Sequence, residues 1–207
     1  MVDHTTSKPS LAQRIYEEAL KKKVHSVDAP VSGGDVGAQQ GKLVTMCGGK
    51  SEIIEKLTPV LNSYSRAVQN NGEAGMGQHT KMTNQIVLAG NMAGVVEGLM
   101  YASKMKLDLK KSIETISLGA ASSTALTVLG TRMVEGNMDP GFYVEHYIKD
   151  MEIALEEAAR AGLCLPTLAV VKQFYTALKA QGGGRFGTQA LIKVLEQMNN
   201  HKINGVN

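Results

Sequence analysis

The chain has 207 residues, with 22 Lys plus Arg against 19 Asp plus Glu for a net charge of +3, 43% hydrophobic residues, 4% aromatics, two Cys and no Trp. A charged fraction of 20% with apolar residues spread throughout excludes a disordered chain, and no run reaches the ~18 uninterrupted apolar residues of a membrane span, so a soluble globular protein of one large or two small domains is expected. Charge is mixed, with Lys21, Lys22 and Lys23 as the only basic run, so a pI near 8.8 makes no case for nucleic acid.

In chain order, the first 70 residues alternate short apolar runs with helical patterns: a helix over 9–23, a strand over 24–28, a strand over 43–47, a helix over 51–61 and a short strand over 67–69. This is the rhythm of an α/β sheet. Pro9 fits the first turn of its helix with Ser7 as N-cap, and Ser51 reads as the N-cap of the next, with Glu52 in the first turn. From Gly77 onward no strand pattern occurs. Helices are predicted over 78–105, 109–118, 125–135, 147–161, 167–179 and 188–199, which makes the second half an all-helical domain.

The helix over 78–105 is apolar on most of its circumference and predicted to be buried. Between Lys81 and Ser103 its only charges are Lys81 and Glu97. Gly90, Gly94 and Gly98 stand four apart on one ridge, which admits close approach of another backbone. That points to tight helix packing, within the chain or across a subunit boundary, rather than to pairing in a membrane.

Three glycine clusters bear on chemistry. Gly182, Gly184 and Gly187 spell GxGxxG, but a helical pattern precedes them. A phosphate-binding fingerprint must follow a strand, so these glycines read as a stop between helices. Ser32-Gly33-Gly34 follows the strand ending at Asp28. It is either an anion cradle of exposed backbone N–H groups or a turn that needs positive φ. Finally, a glycine-rich stretch, 72–77, runs into the buried helix, where Lys81 shares a face with Asn84 and Gln85. A lysine in apolar surroundings near a helix N-terminus is expected to titrate lower than usual and to serve as a general acid or base; otherwise it snorkels to the surface. The histidines and cysteines have no metal-site spacing, and no Ser, His and Asp set suggests a hydrolase. Cys47 and Cys164 lack a CxxC pattern, and residues 1–10 lack the apolar core of a secretory signal. Both features point to an intracellular, cytoplasmic or organellar protein that is not secreted.

Taken together, Thr5-Thr6-Ser7-Lys8-Pro9-Ser10, Asp28 to Gly34 with Gly37-Ala38 and Gly41, Gly48-Gly49, Gly72 to Lys81 with Asn84, and Lys149-Asp150 resemble the successive motif blocks of the β-hydroxyacid dehydrogenases. That family includes 3-hydroxyisobutyrate dehydrogenase, tartronate semialdehyde reductase and 6-phosphogluconate dehydrogenase. The resemblance implies a partial Rossmann sheet followed by an all-α C-terminal domain like that of 6-phosphogluconate dehydrogenase, with boundaries at 1–76 and 77–207. It implies Lys81 as catalytic acid/base, Ser32, Gly33 and Gly34 as the substrate-carboxylate loop, and Asn84 and Gln85 as the amides that orient substrate. Gln85 stands where several members have Asn. Thr6 and Lys149 are implied as cofactor contacts, with NAD or NADP as cofactor and no metal.

The family begins with a strand and a GxGxMG-type turn, and this chain begins after them, at the Thr-Thr-Ser block. The expectation is therefore a truncated chain without the main dinucleotide-binding half, where the residue that selects NAD or NADP would lie. The implied activity is interconversion of a short 3-hydroxy acid and its semialdehyde by a homo-oligomer that takes a small carboxylate-bearing substrate, with no nucleic acid or membrane as partner. The alternative is a non-catalytic fragment that retains the helical dimerisation module.

Overall fold

The structure, a computed structural model, describes residues 1–203 and divides into two compact units, Met1–Gln85 and Ile86 onward. The first unit runs β1 (Val2–Asp3), α1 (Pro9–Lys21), β2 (Val27–Asp28), β3 (Val31–Ser32), α2 (Gly34–Gln39), β4 (Leu43–Cys47), α3 (Ser51–Leu61) and β5 (Ser65–Asn70) before the start of α4 (Met76–Lys104). Strands β1 and β2 pair in parallel across α1, and β4 and β5 pair in parallel across α3. These are βαβ crossovers of the Rossmann kind. Between them β3 pairs antiparallel with β4, Val31 opposite Thr45, and an Asp28–Gly48 bridge ties β2 to the end of β4. Val27, Ala29, Cys47, Ile54 and Leu61 form the buried core beneath the sheet, with Ile53, Leu57 and Val68 packed against it.

Several local expectations differ from the structure. The strand predicted over 24–28 is only Val27–Asp28. Lys23 turns out of α1 with φ 58, and the Val24 N–H donates back to the Ala19 carbonyl, so helix termination takes up these residues. Pro30 lacks an N–H and separates β2 from β3. Helix α2, which the sequence pattern did not indicate, starts where Gly33 and Gly34 adopt φ of 128 and 65. The N-caps of α1 and α3 are Lys8 and Lys50, each one residue from the expected serine-based cap, and neither makes a side-chain cap bond.

The second unit is helical among its described residues: the remainder of α4, α5 (Leu109–Ser117), a π-helical turn over Ala125–Gly130, α6 (Thr131–Val134), α7 (Val144–Arg160), α8 (Pro166–Ala180) and α9 (Ile192–Asn199). Helices α7 and α8 pack through Tyr147 and Tyr175, whose buried rings meet edge to face at 5.1 Å. The Tyr175 hydroxyl donates to the Thr188 carbonyl at 2.9 Å. Gly182, with φ 86, ends α8 and leads into a short 3-10 turn, Gly183–Arg185, so the GxGxxG spacing serves a helix stop.

Helix α4 departs most from expectation. Met92, Val96 and Leu99 are buried, but Val87 and Tyr101 are 57% and 67% exposed, and only 39% of its most apolar window is covered by the chain. By length and composition alone it could cross a membrane. The glycine ridge is also open: a Cβ added at Gly90, Gly94 or Gly98 would meet nothing within 4 Å. The close backbone packing expected there is not made by the described residues of this chain. Instead Gly90, Gly94, Gly98, Ala102, Ile116 and Leu126 line a groove of about 370 Å³.

Candidate active site

Most of the predicted site residues lie in the first unit, where one stretch of chain organises them. The segment from Asp28 to Ser32 runs past the N-terminus of α4 and meets it at two points. Asp28, 5% exposed, accepts hydrogen bonds from the backbone N–H of Gly75 through Oδ1 at 2.7 Å and from that of Gln78 through Oδ2 at 2.9 Å. These are N–H groups that the first turn of a helix leaves without partners. Further along, the Val31 carbonyl accepts from the Lys81 ammonium at 2.8 Å.

Lys81 is 8% exposed. It is held against the strand rather than extended to the surface, which is what a positioned lysine requires and a snorkelling one lacks. Burial pushes the Asp28 carboxyl up from its ordinary value, while the N–H donors of Gly75 and Gln78 pull it partly back.

The close approach of helix and strand depends on missing side chains. A Cβ on Gly48 would stand 2.7 Å from Asp28 Oδ1 and 2.7 Å from the Gly77 nitrogen. One on Gly77 would collide with the Met46 carbonyl oxygen. No side chain fits at either position without moving the helix off the sheet.

Ser32 ends β3, and Gly33 and Gly34 form the turn into α2 with left-handed φ. The turn reading of this cluster is thus met, and it brings Ser32-Gly33-Gly34 immediately after the carbonyl that receives Lys81. One turn on from Lys81, Asn84 Nδ2 donates to Gln85 Oε1 at 2.8 Å. Gln85 is 1% exposed, so the acceptor of that bond is itself buried.

Gln78 was not singled out by sequence, and it ties the remaining block to the same helix. Fully buried, its side chain donates to the Thr5 carbonyl at 2.6 Å and accepts from the Ser7 N–H at 3.1 Å. The loop that carries Thr6 is thereby clamped three residues before Lys81. Beside Thr6, the Ser7 hydroxyl is buried without a hydrogen-bond partner. A polar group left so costs free energy unless a ligand or a water completes it. Lys149 belongs to the second unit, on α7, where its ammonium pairs with the buried Asp150 carboxylate at 3.0 Å. Among the described residues no group of three or more His, Cys, Asp or Glu could hold a metal ion.

Asp28 and Gln78 left little signal in the sequence. Asp28 stands in a recognisable block, yet its partners lie 47 and 50 residues away. Gln78 looks like any polar residue in a first helical turn.

Residues 1–75 match the family model for the NAD binding domain of 6-phosphogluconate dehydrogenase, and residues 75–195 match that for the NAD-binding of NADP-dependent 3-hydroxyisobutyrate dehydrogenase. Among curated proteins the chain is 48% identical to the probable 3-hydroxyisobutyrate dehydrogenase-like 1, mitochondrial, of Arabidopsis thaliana, covering 97% of this chain and 60% of that protein. It is 34% identical to the 2-hydroxy-3-oxopropionate reductase of Escherichia coli, covering 98% of this chain and 70% of that protein. Among solved structures, the 3-hydroxyisobutyrate dehydrogenase of Mycobacterium tuberculosis with L-serine superposes with a TM-score of 0.86 at 25% identity, over 94% of this chain and 69% of that one. The chain thus spans about two thirds of the length of the relatives it matches. With family models covering both units and relatives well above 30% identity, this chain belongs to the β-hydroxyacid dehydrogenase family, in its 3-hydroxyisobutyrate dehydrogenase-like branch.

Proposed function

We propose that the protein containing this chain is an NAD- or NADP-dependent oxidoreductase that interconverts a short 3-hydroxy acid and its semialdehyde, with Lys81 as general acid/base. One observation carries the reading: a buried lysine, held by a backbone carbonyl, stands beside the Ser32-Gly33-Gly34 turn on a helix whose start also clamps the Thr6 loop. Family membership supports it. So do the names of the relatives, a probable 3-hydroxyisobutyrate dehydrogenase-like protein and a 2-hydroxy-3-oxopropionate reductase.

The orphaned Ser7 hydroxyl next to Thr6 fits a polar ligand group, and these two residues are assigned to the nicotinamide end of the cofactor, with Lys149 as a further contact from the helical unit. Bound there, the nicotinamide supplies or accepts a hydride. Lys81 manages the proton: as ammonium it donates to the substrate oxygen during reduction, and as amine it takes the hydroxyl proton during oxidation. The Val31 carbonyl holds one of the ammonium's N–H donors, and that bond helps to aim the group. Ser32, Gly33 and Gly34 are assigned to the substrate carboxylate, and Asn84, backed by Gln85, to the orientation of the reacting carbon.

The open glycine ridge of α4, with Val87 and Tyr101 exposed beside it, is assigned to a second copy of the chain rather than to lipid or nucleic acid. Both cysteines are free, which suits an intracellular compartment. The test is to assay the purified protein with NAD⁺ and NADP⁺ on 3-hydroxyisobutyrate and related short 3-hydroxy acids, and in reverse on the semialdehydes. Reduced cofactor formed in a substrate-dependent manner supports the reading; cofactor-independent or absent turnover of every such acid, with cofactor bound, opposes it.

A further inference from the structure

The two anchor points between the Asp28–Ser32 segment and α4 have different chemistry. At Val31 the strand offers a neutral carbonyl to the Lys81 ammonium, 2.8 Å away. At Asp28 it offers a carboxylate whose two oxygens each take an N–H from the start of the helix. Helix N-termini commonly receive such a bond from their own N-cap residue. Here the acceptor comes from a strand 47 residues earlier, so the bond fixes the helix to the sheet as well as ending it.

The packing leaves the carboxylate little freedom. Gly48 and Gly77 approach so closely that a Cβ on either would lie within 2.8 Å of a carboxylate oxygen of Asp28. From that fixed start the helix advances from Gln78 to Lys81 in less than one turn, a rigid stretch that hands any displacement at its N-terminus to the ammonium. The same stretch carries Gln78, whose amide holds the Thr5–Ser7 loop.

We infer that Asp28 is a positioning residue for the reaction: its carboxylate pins the first turn of α4 to the strand, and thereby sets where the Lys81 ammonium and the Thr5–Ser7 loop stand relative to Ser32-Gly33. This rests on the reading of Lys81 as the proton donor and acceptor. Asn at position 28 keeps size and one acceptor but turns an NH₂ toward a backbone N–H, so one anchor becomes a donor–donor contact. The helix start then moves, and Lys81 loses its alignment with Val31.

Lysine accessibility in the 207-residue chain tests the geometry without any turnover. Brief reductive methylation read by mass spectrometry is expected to modify Lys81 slowly in the parent and about fivefold faster in Asp28→Asn, the factor for loss of one hydrogen bond. Lys50, the N-cap of α3, and Lys172, on α8 and paired with Glu152 at 3.1 Å, are expected to be unchanged. If Asp28→Asn yields no folded protein, Asp28→Glu, which keeps the charge but displaces it by a methylene, is read in the same way. An unchanged Lys81 rate, or a uniform rise across all lysines, overturns the proposal, because Asp28 then only stabilises the fold.

Kinetics supply the second arm. In the active enzyme Asp28→Asn is expected to lower kcat about tenfold or more while KM for the hydroxy acid stays within about threefold, as misalignment of a reacting group requires. A matched rise in KM with kcat intact overturns it. Lys81→Met separates the two readings: full kcat in that variant removes the acid/base role of Lys81, whereas the labelling result on Asp28 is unaffected by it.

Discussion

The Lys81 ammonium lies 2.8 Å from the carbonyl oxygen of Val31, the residue immediately before the Ser32-Gly33-Gly34 turn. That bond links a helix and a strand 50 residues apart in sequence and decides which way the lysine points. Lys81→Met is therefore expected to lower kcat by about 10² to 10⁴, the range for a positioned general acid or base. Cofactor affinity is expected to hold, and one limb of the pH–rate profile to vanish. Stopped-flow measurement of hydride transfer checks this; a variant with parental kcat and a lower melting temperature would make Lys81 a structural residue.

Gly33 sits at φ 128, and a Cβ there would lie 3.1 Å from Leu43 Cδ2. Gly33→Val is strained on both counts, and its branched side chain crowds the N–H groups assigned to the substrate carboxylate. A loss of activity far greater on a semialdehyde acid than on the matching aldehyde without a carboxylate is expected. Equal losses on the two would leave only the turn.

How much of this was legible in sequence varies by residue. Lys81 stood out because a charge on an otherwise apolar helix is conspicuous, and the glycine-rich entry to that helix marked its start. Gly33 and Gly34 were legible as a turn or cradle, and the structure supplies the positive φ of the former reading. Helix α2 was not, since Gly34-Asp35-Val36-Gly37 has weak helix propensity and forms its short helix only in tertiary context. Nor was the capping role of Asp28: a carboxylate that closes a helix from a distant strand leaves no local spacing to read. The glycine ridge was legible as a ridge, but periodicity cannot say whether the surface that meets it belongs to the same chain.

The two thiols are expected to differ sharply. Cys164 is exposed, whereas Cys47 is fully buried, and burial, aided by the Asp28 charge, pushes its thiol up from 9.0 to about 11. At pH 8 that leaves about a hundredfold less thiolate than an ordinary cysteine has. Iodoacetamide is expected to modify Cys164 rapidly and Cys47 only after unfolding. The sign for stability follows: the folded state holds the Cys47 proton more tightly, so this contribution is intact below pH 9 and is lost as pH rises toward 11. Rapid labelling of Cys47 in native protein at pH 8 would contradict the burial.

The open ridge on α4 yields a prediction in which stability and assembly move in opposite directions. Gly94 is exposed on a groove about 370 Å³ in volume, and a Cβ there meets nothing within 4 Å, so the groove has room for the start of the Gly94→Leu side chain. Replacing a mid-helix glycine removes a helix penalty of about 0.8 to 1 kcal/mol, and the isolated chain is expected to be more stable by a similar amount. Between two copies that meet along this ridge the added side chain is an overpacked contact costing about 1 to 3 kcal/mol, a rise of about five- to 150-fold in the dissociation constant between them. Sedimentation velocity over a concentration series reads the assembly, and chemical denaturation of the dissociated species reads the fold. A variant that associates as tightly as the parent would mean that Gly90, Gly94 and Gly98 lie outside the subunit contact. A less stable isolated chain would mean that the ridge is covered by the chain itself.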